Sequence, residues 1–124
     1  MKKIFTFLFL LTLNLVLICG QSYSEDTKIK IGLLVPLTGD NAEIGKQIVK
    51  ATRMALKDIN SDKIEIYPKD TKSDPNKTLL SANEFNQMGI DLVIGPIFYG
   101  NLQYLNEVEN ITFLSLTNKT LDLP

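Results

Sequence analysis

The sequence contains no histidine and no tryptophan, and it has one cysteine among its 124 residues. Without histidine, histidine-based acid–base catalysis and the Ser-His-Asp mechanism are excluded. A zinc site built on cysteine and histidine is excluded too, and we expect no metal and no other cofactor. The first loop has one glycine, Gly39, where a dinucleotide site would carry three, and no phosphate-binding loop occurs. We therefore predict that the protein is not an enzyme.

Excess charge of either sign is also missing. The chain has 13 basic and 14 acidic residues, which gives a formal net charge of -1. Proteins that bind nucleic acid concentrate positive charge to meet the phosphates. We therefore expect no nucleic-acid partner.

The amino-terminal segment has the layout of a secretory signal peptide. A short basic start is followed by a mostly apolar run from Ile4 to Cys19. Ser22 and Ser24 then supply small residues at the two positions that a signal peptidase reads. We predict that residues 1–24 are the signal peptide and that residues 25–124 belong to a domain exported to the periplasm.

Two alternatives concern the same segment. A transmembrane anchor would need about 20 apolar residues, and this run is shorter. A lipid anchor would make Cys19 the acylated residue, but Ile18 stands where lipid-attachment sites have a small residue. We rank both below cleavage after Ser24. Cleavage there would leave the exported part without cysteine, so that its stability would depend on core packing.

After this segment, strand-like and helix-like patterns alternate along the chain. The predicted strands lie near 29–35, 64–68, 92–95 and 111–116, and the predicted helices near 42–60 and 75–88, with a short third helix around 102–108. This alternation implies right-handed crossovers. We therefore predict an α/β fold, with a parallel sheet that carries helices on both faces.

The first predicted helix has an apolar stripe and a basic row. Apolar residues recur at steps of three and four, which predicts that they face the sheet: Ile44, Ile48, Ala51, Ala55 and Ile59. Four basic residues lie on the other side and are interpreted as a solvated face: Lys46, Lys50, Arg53 and Lys57. Asp40 and Glu43 are spaced as a capping box for this helix.

Asp70 and Asp74 form the one pair of neighbouring carboxylates that could be considered for chemistry. Asp74 precedes Pro75, and this order predicts the cap and first turn of the second helix. We interpret Asp70 as part of a solvated turn.

The candidate ligand site follows from the predicted topology. In an open parallel sheet, ligands bind beyond the carboxyl ends of the strands, where the strand order reverses. In the common order 2-1-3-4, that point lies between strands one and three. The loops after strands one and three, together with the loop after strand four, carry side chains suited to a small polar ligand: Thr38, Tyr99, Thr117 and Asn118.

Several segments, in this order, resemble the opening of type I periplasmic binding proteins, the leucine/isoleucine/valine-binding receptors of ABC importers and their relatives. The resemblance is carried by Ile29–Gly39 (IKIGLLVPLTG), Asp70–Pro75 (DTKSDP) and Asp91–Pro96 (DLVIGP). It extends over essentially all of residues 28–120. It implies a two-lobed receptor that closes on its ligand between the lobes, of which this chain would hold the opening half of lobe 1.

The resemblance leaves two functions open. One is the substrate-binding component of an ABC importer, which binds an amino acid or a similar small polar solute and partners with a membrane permease. Tyr99 and Lys119 depart from the pattern of the amino-acid receptors, which have a serine and small residues there. The other function is a periplasmic activator of penicillin-binding proteins, which acts through protein contacts. Gly95–Phe98 and Ser115–Asn118 are similar to segments of that branch.

Overall fold

The computed structural model describes residues 27–117. The predicted signal peptide, its cleavage after Ser24, the alternative role of Cys19 and the site residue Asn118 all lie outside the described residues. The described elements are β1 (Ile29–Val35), α1 (Ala42–Ile59), β2 (Ile64–Asp70), α2 (Pro75–Gln87), β3 (Leu92–Ile94), two short 3₁₀ helices (Tyr99–Leu102 and Leu105–Glu107) and β4 (Thr112–Leu114).

The four strands form one parallel sheet in the order β2-β1-β3-β4. β1 and β2 pair along their full length, from Ile29 opposite Ile64 to Val35 opposite Asp70. β3 pairs with the other side of β1, and β4 pairs with β3. The predicted parallel sheet and its order are therefore confirmed. No helix within residues 27–117 combines the length and the apolar character that a membrane crossing requires.

Helices cover both faces of the sheet because side chains alternate along each strand. Leu33 and Val35 point to one face and form a cluster with Val49 of α1. Leu34 points to the other face and shares a cluster with Phe85 of α2. Each cluster is continuous and well buried, so the prediction of helices on both faces is confirmed.

The face of α1 that packs on the sheet is not the predicted one. Gly45 and Val49 are its buried residues. Of the predicted stripe, Ile48 packs against the core, whereas Ile44 and Ile59 are 43% and 59% exposed. The remaining two residues of the stripe are exposed as well: Ala51 and Ala55. The predicted orientation of this helix was therefore wrong.

A close approach between α1 and the first loop explains this orientation. A Cβ atom on Gly45 would lie 1.7 Å from the carbonyl oxygen of Pro36, so only glycine allows the helix to come this near. The contact turns the Gly45 side of α1 toward the sheet. The Ile44 side is turned away from it.

Three smaller predictions also meet the structure. The predicted Asp40–Glu43 capping box was wrong, because the N-cap of α1 is Asn41 and its side chain makes no capping hydrogen bond. The predicted cap of α2 is confirmed, since Asp74 accepts a hydrogen bond from Lys77 N at 2.8 Å. β2 runs through Pro68, which an edge strand tolerates.

The predicted third helix is replaced by the two 3₁₀ helices. Leu102, Leu105 and Val108 recur at steps of three, which is the repeat of a 3₁₀ helix. Leu105 and Val108 are buried in the cluster around Phe85.

Candidate functional site

The carboxyl ends of the four strands lie at one edge of the sheet, and the loops that follow them form the candidate site. The chain leaves β1 toward β2 on one side, and it leaves β3 toward β4 on the other. The order therefore reverses between β1 and β3, where parallel sheets bind their ligands.

Asp70, the last residue of β2, holds the loop after β1. Its Oδ1 accepts hydrogen bonds from Leu37 N at 2.7 Å and from Thr38 N at 3.3 Å. Its Oδ2 accepts a third bond from the Thr38 hydroxyl at 2.5 Å. Lys72 N, in the loop after β2, donates to Oδ1 at 2.9 Å. One carboxylate thus fixes the backbone of two neighbouring loops.

The charge state of Asp70 follows from these contacts. Partial burial acts to raise its pKa, because it disfavours the charged form. The hydrogen bonds from the Thr38 hydroxyl and from the backbone of Leu37, Lys72 and Thr38 outweigh this effect, and they hold the pKa of Asp70 below its ordinary value. The carboxylate is therefore ionised at neutral pH.

Our interpretation of Asp70 as part of a solvated turn was wrong. Its acceptor role depends on the register that places Asp70 beside Val35, directly before the loop whose N–H groups it binds. The available signal was an acidic residue two positions beyond the predicted strand 64–68, which the structure extends to Asp70. A further hydrogen bond joins the loops after β1 and β2, since Asn41 Nδ2 donates to Ser73 Oγ at 3.0 Å.

Thr38, a predicted site residue, lies in this cluster on the β2 side of β1. It is exposed, and its hydroxyl group donates its hydrogen bond to Asp70. The lone pairs of that oxygen can still accept a hydrogen bond. Thr38 can therefore meet a donor group of a ligand while its own position is fixed.

The loops after β3 and β4 are also held together. Gly95 precedes Pro96 through a cis peptide bond, and it has a φ of 104°, which favours glycine. Gly95 N donates to Leu114 O at 2.8 Å, and Leu116 N donates to Pro96 O at 3.0 Å. The Ser115 hydroxyl donates to the same Pro96 oxygen at 3.4 Å. This pairing extends the contact between β3 and β4 beyond the strands.

Tyr99 and Ser115 line one cavity beside β4, with a volume of about 610 Å³. Thr117 is not among the lining residues, but its backbone N donates to Ser115 Oγ at 3.3 Å. Ser115 thus links Thr117 to the cavity that Tyr99 lines, while Thr38 lies with Asp70. The cavity is lined mainly by the two 3₁₀ helices and β4: Tyr99, Gly100, Leu102, Gln103, Leu105, Asn106, Val108, Ile111, Phe113 and Ser115.

Asn101 is a further polar residue of this loop that the sequence did not single out. Its side chain is 3% exposed, and within residues 27–117 its Nδ2 has no hydrogen-bond partner. A buried amide without a partner is unfavourable. Asn101 is not among the residues that line the cavity, so this amide does not face a ligand there. In the same part of the chain, no group of three or more acidic or cysteine side chains is placed to hold a metal ion.

Comparisons with known proteins agree on one family. A model described as periplasmic binding protein matches residues 28–121. An uncharacterized protein of Methanocaldococcus jannaschii is 33% identical over 107 residues, which cover 80% of this chain and 24% of the relative. The Leu/Ile/Val-binding protein homolog 1 of Brucella abortus is 37% identical over 82 residues, which cover 61% of this chain and 21% of the relative. The chain therefore spans about a quarter or less of the length of these relatives.

Solved structures share the fold. A solute binding protein of an ABC transporter from Rhodopseudomonas palustris, in complex with 3,4-dihydroxy benzoic acid, superposes with a TM-score of 0.66 at 28% identity, covering 75% of this chain and 28% of that protein. LivJ from Streptococcus pneumoniae, in complex with isoleucine, superposes with a TM-score of 0.65 at 24% identity. The match covers 75% of this chain and 30% of LivJ. The C-domain of LpoA from Haemophilus influenzae, a regulator of PBP1A, superposes with a TM-score of 0.59 at 24% identity. The match covers 69% of this chain and 27% of the LpoA chain.

Proposed function

The chain belongs to the periplasmic binding protein family, and on that premise we propose that it acts in the periplasm as the substrate-binding component of an ABC importer. Its solute would be small and polar, and its membrane partner would be the permease of that importer. We further propose that residues 1–24 direct export and are removed.

The observation that best supports this proposal is the fixed geometry of the loops at the carboxyl ends of the strands. Asp70 holds the Thr38 loop through three hydrogen bonds, and the loops after β3 and β4 are joined through Pro96 and Leu114. A site whose loops are ordered before binding loses less conformational freedom when the ligand arrives. Such preorganisation suits a receptor for small solutes.

We propose a small carboxylic acid as the solute. Isoleucine and 3,4-dihydroxy benzoic acid, found in two of the similar structures, each combine a carboxyl group with an apolar body. In this chain, Thr117 and Asn118 would supply hydrogen bonds to the polar end. The Tyr99 ring, which is 40% exposed beside the cavity, would contact the apolar body. Thr38 would accept a hydrogen bond from the remaining donor group.

The second candidate function is regulation of a penicillin-binding protein by direct contact. It is favoured by the shared fold of the LpoA C-domain and by the resemblance of the loops after β3 and β4 to that branch. A regulator of this kind would need no small ligand, which makes the two functions separable.

Calorimetric titration of the protein made from its complete reading frame tests the proposal. Isoleucine, 3,4-dihydroxybenzoate, related amides and small carboxylates would be titrated first. Tyr99→Ala and Thr117→Ala would follow, with Tyr104→Ala as a matched control outside the proposed contacts. We expect binding of at least one acid. Thr117→Ala should weaken it by about 1.5–3 kcal/mol, because a hydrogen bond to the ionised carboxylate is removed, and Tyr99→Ala should weaken it through the lost ring contact.

Two results would contradict the proposal. Binding that survives both substitutions undiminished would place the solute elsewhere. A failure to bind any solute, together with capture of a penicillin-binding protein from periplasmic extract, would favour the regulator.

A further inference from the structure

The side of α1 that faces edge strand β2 forms a groove with basic walls. Its volume is about 510 Å³. We call it the basic groove, and its lining consists of four basic and four apolar residues: Lys46, Lys50, Arg53, Lys57, Leu37, Val49, Met54 and Pro68. Among residues 27–117, no acidic residue lines it.

The four basic residues form a row because of their spacing. They recur at steps of four, three and four, so that they stack along one side of the helix. At a rise of 1.5 Å per residue, the row from Lys46 to Lys57 is about 16 Å long. All four side chains belong to exposed residues. Their arrangement therefore presents a line of positive charge to solvent.

These charges are not neutralised within the described part of the chain. Between residues 27 and 117, the ion pairs recorded are Lys28–Glu65 and Lys69–Glu84, and none involves the row. The two acidic residues of α1, Glu43 and Asp58, do not line the groove. Four of the 13 basic residues of a chain with net charge -1 are thus concentrated at one place.

The floor of the groove distinguishes it from a solvated helix face. Of its apolar lining residues, Val49 is buried, Leu37 is half-buried and Met54 is 59% exposed. A protruding protein segment can enter the groove and contact the buried Val49, which a flat lipid surface would not reach. Methionine adapts well to partners of different shape.

We propose that the basic groove docks an acidic segment of a partner protein. Carboxylates of that segment would pair with the row from Lys46 to Lys57, and one apolar side chain would contact Met54 and Pro68. This inference concerns a face of α1 that the proposed solute site does not use, and it stands independently of solute binding.

A designed peptide provides the probe. It is a fluorescent, alanine-rich helical peptide with four glutamates at the spacing of the basic row and one leucine beside them. Two further peptides replace the glutamates by glutamine or the leucine by serine. We expect the complete peptide to bind about tenfold more tightly than either, and to lose affinity as salt rises from about 50 to 200 mM, because surface charges are screened.

Protein variants then locate the contact. Lys50→Gln combined with Arg53→Gln should weaken binding of the complete peptide about tenfold, whereas Lys72→Gln combined with Lys77→Gln should change it less than twofold. Met54→Gln should remove the preference for leucine over serine. Glutamine keeps the helix propensity high, so the variants should fold, and circular dichroism checks this.

The proposal is overturned if both double variants weaken binding equally, since the effect would then be general electrostatic attraction. It is also overturned if the leucine and serine peptides bind alike. Binding to vesicles that contain phosphatidylglycerol, lost in the Lys50→Gln and Arg53→Gln variant without any preference among the peptides, would show a lipid surface to be the partner instead.

Discussion

Replacement of Asp70 should loosen the loop after β1 and lower the stability of the whole domain. Asp70→Ala removes the acceptor of three backbone N–H groups and of the Thr38 hydroxyl. Hydrogen bonds to a charged group contribute about 1.5–3 kcal/mol each when buried. Because water can reach part of this site, we expect a total loss of about 2–3 kcal/mol. Asp70→Asn keeps one carbonyl acceptor and should cost about 1–2 kcal/mol.

Urea unfolding monitored by circular dichroism measures this loss. Asp91→Ala is the matched control, because Asp91 is exposed and its substitution should stay within about 0.5 kcal/mol. The reasoning is refuted if Asp70→Ala costs no more than Asp91→Ala.

The stability that Asp70 contributes should depend on pH. The pKa of Asp70 is lowered from 3.8 in the folded protein, so its ionised form favours the fold. That contribution is complete above the unfolded pKa, and it is lost as the pH falls through the lower folded pKa. The stability difference between the natural protein and Asp70→Asn should therefore be constant from about pH 5 to pH 8 and shrink below about pH 4. A difference that grows on acidification would contradict this sign.

Three further predictions concern packing and export. Gly45→Ala should destabilise the protein by about 3 kcal/mol or more, because the new Cβ would lie 1.7 Å from a backbone oxygen. Gly100→Ala is the control, since its Cβ would have no atom within 4 Å and should not destabilise the protein. Thermal unfolding of the two variants measures the difference. Phe85→Ala should cost about 3–5 kcal/mol in urea unfolding, since this ring is fully buried, and a cost below that of a surface substitution would contradict the core assignment. Amino-terminal sequencing of the exported protein should find cleavage after Ser24, and an acylated Cys19 would disprove it.

The sheet could be predicted because its signals are local. Each strand is a short apolar or alternating run, and the alternation with helices restricts the crossovers to one hand. The orientation of α1 could not be predicted in this way. Its closest approach, to Pro36 directly after β1, is made at Gly45, which has no side chain and so adds nothing to a hydrophobic pattern. The stripe that includes Ile44 and Ile59 was the stronger signal and pointed to the wrong side.

The role of Asp70 was missed for a different reason. Its partners, Leu37 and Thr38, are more than 30 residues away in the chain, and most of the donors are backbone groups that carry no mark in the sequence. Only the register of β1 against β2 brings them together. Asn101 gave no signal either, because its burial depends on the 3₁₀ helix that replaced the predicted α-helix. Thr38, Tyr99, Thr117 and Asn118 remain predictions as ligand contacts.

Fluorescence from one introduced tryptophan tests the central claim most directly. These 124 residues contain no tryptophan, so Tyr99→Trp gives this part of the protein a single reporter beside the cavity, and Tyr67→Trp gives a control on the α2 face of the sheet. Any tryptophan elsewhere in the protein would first be replaced by phenylalanine. Both variants of the protein made from its complete reading frame would be titrated with the same panel of small acids. We predict a saturable change in emission for Tyr99→Trp, with the midpoint found by calorimetry, and none for Tyr67→Trp. A solute that binds without changing Tyr99→Trp, or that changes both variants alike, would contradict a site at the carboxyl ends of these strands.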